Sequence, residues 1–162
     1  MNIRNVIALA ISICVTLPAY AGVTVTDAWV KVTAPEQTTA EAYMHIMSDT
    51  TAKLVDVSSS AAKIVQIHEM KMNGNAMQMQ MQAINALDLP AGTIVELKPG
   101  GYHIMLAEIS PPLKPGATVP LTLTVEDTNM QRQSITVKVE VRGAASTEKH
   151  ENTNDMGGMK GM

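Results

Sequence analysis

Phenylalanine is absent from the 162-residue chain, tryptophan occurs once and tyrosine three times. The single cysteine, Cys14, falls in an N-terminal stretch that reads as a leader, so the body contains none. A body without cysteine has no disulfide, no thiolate metal ligand and no redox thiol. A blue-copper electron carrier requires a cysteine ligand and is thereby excluded. Basic charge is also scarce. Lys and Arg number 12 against 15 Asp and Glu, a net charge of −3, with no basic patch of the kind nucleic acid requires. Beyond the leader no apolar run approaches the roughly 20 residues of a spanning helix, so no membrane insertion is expected. No nucleophile–base pattern or catalytic carboxylate pair stands out, and four histidines are few for a copper oxidase. The chain does not read as an enzyme.

The leader is residues 1–21. A short basic region, Met1-Asn2-Ile3-Arg4-Asn5, precedes an uncharged apolar run from Val6 to Leu17. Pro18 breaks the run, and Ala19-Tyr20-Ala21 forms a small-x-small cleavage site. This is the pattern of a secretory signal peptide, cut after Ala21. A lipoprotein signal around Cys14 is the weaker alternative, because Ile13 stands where a lipobox has a small residue. Removing Arg4, the leader's only charge, takes the net charge from −3 to −4. The expected address is the periplasm.

From residue 22 to 142 the chain reads as short strands rich in Val, Ile and Thr, divided by turn signals. The strands are expected at Val23–Val25, Ala28–Val32, Ala42–Met47, Lys53–Ser58, Ile64–Met72, Ala76–Gln82, Thr93–Leu97, Tyr102–Ile109, Val119–Val125 and Ser134–Arg142. No long segment carries a helical apolar period. The pattern predicts one all-β sandwich or barrel domain. Residues 143–162 are small, polar and charged, and are expected to be a disordered tail.

What is abundant is methionine, with 13 residues. Some could fill a core in place of Phe, or form a flexible strip for a partner. Several, however, sit close to histidine. Asn73-Gly74 is a strong two-residue hairpin signal. That turn would set Met70 opposite Met77, His68 opposite Met79 and Gln66 opposite Met81, each pair on one side of the sheet. Further on, His103 and Met105 alternate with Tyr102, Ile104 and Leu106. The apolar set is expected to face the core, leaving His103 and Met105 to face out, near the Pro99-Gly100-Gly101 turn. Two imidazoles and two thioethers make a neutral, soft donor set suited to Cu(I). Zinc sites draw on His, Cys and carboxylate, and calcium takes oxygen. The expected ligands are therefore His68, Met79, His103 and Met105, with second-sphere help from Glu69 or Tyr102. In the tail, His150, Met156, Met159 and Met162 form a candidate second, weaker copper site. Cu(II) there would favour His150 with Glu148, Glu151 or Asp155, and Cu(I) the methionines.

At these residues the sequence resembles the PCu(A)C family of periplasmic copper chaperones, over about residues 23–142. The family motif is a His, a Met eleven positions later and a His-x-Met some twenty-odd positions beyond. His68, Met79, His103 and Met105 match it, within His68-Glu69-Met70-Lys71-Met72-Asn73-Gly74 and Leu97-Lys98-Pro99-Gly100-Gly101-Tyr102-His103-Ile104-Met105. The resemblance implies a cupredoxin-like Greek-key β-barrel or sandwich. It also implies a Cu(I) site near the surface and delivery towards the copper centre of cytochrome c oxidase. The partner would be the oxidase copper subunit or another periplasmic copper chaperone, with the protein itself a monomer. Some members carry a His/Met-rich C-terminal extension like the tail here. A copper-storage or resistance protein that buffers excess metal would share the same site, and is the alternative.

Overall fold

The computed structural model describes residues 22–72 and 79–143. Within them there are ten strands and no helix: β1 (Val23–Lys31), β2 (Thr39–Ser48), β3 (Ala52–Ser59), β4 (Ala62–Met72), β5 (Met79–Ile84), β6 (Leu87–Leu89), β7 (Ile94–Leu97), β8 (His103–Ile109), β9 (Thr118–Asp127) and β10 (Arg132–Arg142). They form one hydrogen-bonded sheet in the order β5-β4-β8-β2-β1-β10-β9-β3-β6, and β7 also pairs with β2. The all-β expectation holds. β3 and β4 are joined by a tight turn yet lie far apart in this order, so the sheet folds over on itself into two layers around one core. The parallel pairing of β1 with β10 links the two halves.

Period-two alternation explains which side chains fill that core. Val119, Leu121, Leu123 and Val125 point inward from β9, and Ala40, Ala42, Met44 and Ile46 from β2. Irregularities reset the phase where the strict period fails. The two segments expected at 23–25 and 28–32 are one strand, with a register shift between Thr26 and Trp29 and Asp27 at φ 50°. In β8, Glu108 at φ 54° lets Ile109 turn inward after Ile104 and Leu106. Met44 is the one methionine of the buried cluster among the described residues. Methionine is therefore not the substitute for the missing phenylalanine, and the other methionines need a separate account.

The turn between β7 and β8 positions the site. Pro99 followed by Gly100 at φ 78°, closed by the Gly101 amide donating to the Lys98 carbonyl (3.0 Å), is the pattern of a type II turn. It carries the chain from β7 to β8 along the same edge of β2. His103 thereby becomes the first residue of β8.

Candidate metal centre

His68 on β4 and His103 on β8 are direct cross-strand partners, with ring centroids 5.6 Å apart and planes inclined at 56°. Each ring has one nitrogen partnered and one without a partner. With its proton on Nδ1, His103 donates to the Gly101 carbonyl at 3.2 Å. With its proton on Nε2, His68 donates to Gln66 Oε1 at 3.4 Å, a long bond. His103 Nε2 and His68 Nδ1 are both buried with no hydrogen-bond partner. A buried polar atom left unsatisfied costs about 1–3 kcal/mol, so two side by side demand an explanation. A bound metal would supply one. An imidazole nitrogen binds at about 2 Å, which puts a ring centroid about 3.2 Å from the ion. Two rings sharing one ion can then stand up to about 6.4 Å apart, and the observed spacing lies within that reach. Burial, and next the neighbouring His103, hold the His68 pKa below its ordinary value of 6.5. Its ring is thus a free base at neutral pH, ready to bind without first shedding a proton.

Met105 follows on the same face of β8, opposite Gln66 on one side and Glu41 on the other, and is half-buried. The arrangement of the hairpin differs from the sequence expectation. β4 pairs with β5 so that His68 faces Ala83, Met70 faces Met81 and Met72 faces Met79. The two-residue turn would have put Met79 opposite His68, so β5 has slid by four positions. The connection is residues 73–78, outside the described residues, which also takes in Met77 and the Asn73-Gly74 signal. A slide by an even number keeps every side chain on its face. Met79 still shares the His68 face, but two rungs further out, and is 48% exposed. Met81 and Met70 instead line a groove of about 640 Å³ together with His103.

The other expectations fare unevenly. His103 does point away from the aliphatic core, but it is only 3% exposed, because β8 lies between β4 and β2 and both raise side chains on the same face. Glu69 and Tyr102 stand on the opposite face. There the Glu69 carboxylate accepts from Tyr102 and from Lys71 Nζ (2.9 Å), and the lysine holds its pKa below the usual range. The atoms that orient the imidazoles are Gln66 Oε1 and the Gly101 carbonyl. Across the groove, the Trp29 and Tyr43 rings meet at a tilt of 43° with centroids 4.7 Å apart, and the Tyr43 hydroxyl donates to Glu41. Among the described residues no three His, Cys, Asp or Glu side chains cluster to hold a metal. No helix among them is long and apolar enough to cross a membrane. His150, Met156, Met159 and Met162 lie outside the described residues.

The family model described as "Putative lipoprotein LpqE-like" matches residues 23–141. The chain belongs to this LpqE-like family, which is of the PCuAC type. Among curated proteins, "Putative lipoprotein Lxx21020" of Leifsonia xyli subsp. xyli is 36% identical over 117 residues, 72% of this chain and 70% of that one. The copper-bound PCuAC domain from PmoF2 is similar at 25% identity and a TM-score of 0.61, covering 76% of this chain and 95% of that domain. The solution structure of CuI-DR1885 from Deinococcus radiodurans is similar at 28% identity and a TM-score of 0.56, covering 78% and 83%. The cupredoxin-like PCuAC fold and the resemblance read from the motif are therefore both borne out. The sequence analysis of this LpqE-like chain did not single out Met81, which lines the groove beside His103, or Gln66, which partners His68. The Met79-Gln80-Met81 alternation puts both methionines on one face, and only the register separates their roles.

Proposed function

We propose that this LpqE-like protein is an exported copper chaperone that carries Cu(I) and passes it to an acceptor. The carrying observation is the pair of unpartnered buried nitrogens, His68 Nδ1 and His103 Nε2, on two rings that stand on paired strands with centroids 5.6 Å apart. Copper in the named relatives, PmoF2 and DR1885, supports the choice of metal. The proposed ligands are His68, His103 and Met105 with one hairpin methionine. Met81 is the better candidate for that place than Met79, because it stands diagonal to His68 and lines the groove beside His103. Two neutral imidazoles and neutral thioethers favour the softer, monovalent ion. The leader at 1–21 and the lipoprotein names of the relatives support export, to the periplasm on this reading. A buried His103 beside partly exposed Met81 supports release by ligand exchange at the groove mouth, with an oxidase copper subunit or another chaperone as acceptor. The tail's His150, Met156, Met159 and Met162 add a weaker, adaptable copper site, since ordering it costs about 1–2 kcal/mol per residue.

The test is anaerobic Cu(I) titration of the mature protein against a competing chelator, with X-ray absorption of the loaded form. One tight equivalent with mixed nitrogen and sulfur scattering is expected. A copper shell without sulfur would refute the assignment. Mixing the loaded protein with candidate apo-acceptors separates delivery from storage: a storage protein would keep its copper.

A further inference from the structure

The copper site uses the His68–His103 pair and the nearest thioethers, which leaves the outer end of the hairpin unexplained. Met72 is 72% exposed and Met79 48%, and they face each other as the last described rung of β4 and β5. Met70 and Met81 form the next rung inward, and His68 with Ala83 the one after that. Rungs on one face repeat about every 6.6 Å. The residues between them, Lys71, Gln80 and Gln82, point to the other face and are polar. Four large apolar side chains thus stand on one partly exposed face, and all four are methionine. A docking strip would accept Leu or Ile as readily, and a core position would be buried. What the four share is a soft, neutral sulfur.

We infer that the Met72–Met79 rung is an outer, weak site for Cu(I), and that the ion reaches and leaves the histidine pair by way of it and the Met70–Met81 rung. The inference rests on the copper reading of the histidine site. A methionine sulfur lies about 4 Å from its Cα when extended, so sulfurs on adjacent rungs can meet around one ion. Each step forms one Cu–S bond as another breaks. The ion stays Cu(I), and since a thioether carries no proton, none is taken up or released along the methionine rungs. Two thioethers alone bind more weakly than a site with two imidazoles, so the rung exchanges the ion without retaining it.

The experiment compares the mature protein with its Met72→Leu variant, which keeps the apolar volume, removes only a sulfur and leaves Met79, the methionine of the family motif, in place. Equilibrium affinity for the first Cu(I) equivalent should stay within about threefold, while anaerobic stopped-flow removal by a small Cu(I) chelator slows at least about fivefold. Titration with Ag(I), a redox-silent soft ion, should shift the Met72 and Met79 methyl resonances only beyond the first equivalent. Removal at the wild-type rate, or methyl signals that never move, would overturn the outer rung while leaving the histidine site intact. That is also the result if the strip serves only apolar docking. A wild-type protein that takes up no first equivalent would overturn the copper reading itself.

Discussion

Replacing Met81 and Met79 in turn by Leu tests which hairpin sulfur belongs to the copper site. His68 faces Ala83, so Met81 lies two residues along β5 from that level and Met79 four. At about 3.3 Å per residue these offsets are about 6.6 and 13 Å. A methionine sulfur can close about 4 Å of either gap, leaving about 3 Å for Met81 and about 9 Å for Met79. A metal–sulfur bond is about 2.3 Å, so a modest tilt brings Met81 into range and nothing short of a register slip does so for Met79. Met81→Leu should therefore weaken Cu(I) binding at least about 10- to 100-fold, the range seen when mere supporting residues of metal sites are removed. Met79→Leu should stay within about threefold. The assay is competition with a Cu(I) chelator at fixed pH, with circular dichroism to verify that both variants keep the β fold. Equal losses in the two variants, or a larger loss for Met79→Leu, would refute the register argument. They would mean that copper binding pulls the hairpin into the two-residue-turn register.

Acid should destabilise the metal-free protein through His68. Its folded-state pKa lies below the ordinary 6.5, so on acidification through 6.5 the unfolded chain takes up a proton that the folded chain resists, and stability falls until the lowered pKa is passed. Urea unfolding at pH 7.5 and 5.5 should show a smaller pH difference in His68→Gln than in wild type, and an unchanged difference would contradict the assignment. Leu121→Ala, at a fully buried core position remote from the groove, should cost about 2–5 kcal/mol in urea unfolding and leave copper stoichiometry unchanged. A chain stopped at Arg142 should bind less copper at excess metal than the full mature chain, and equal content in Cu(I) and Cu(II) would leave the tail without a metal role.

Much of this protein was legible before any coordinates, wherever a local signal suffices. The all-β class and the segregation of Ile104 and Leu106 from His103 and Met105 both follow from composition or a two-residue period. The same period set His68, Met79 and Met81 on one face, and it survived the change of register because an even slide preserves parity. Properties set by more distant parts of the chain were out of reach. The level at which β5 meets β4 depends on how the whole connection between Met72 and Met79 folds, and an Asn-Gly pair inside it names only one way to turn. The burial of His103 comes from β2 and β4 closing on both sides of β8. That places His68 and His103 side by side, although they are 35 positions apart in the chain. Sequence period determines the face of a strand on which a ligand stands. Strand order and register, set by packing across the whole sheet, decided which of those ligands meet.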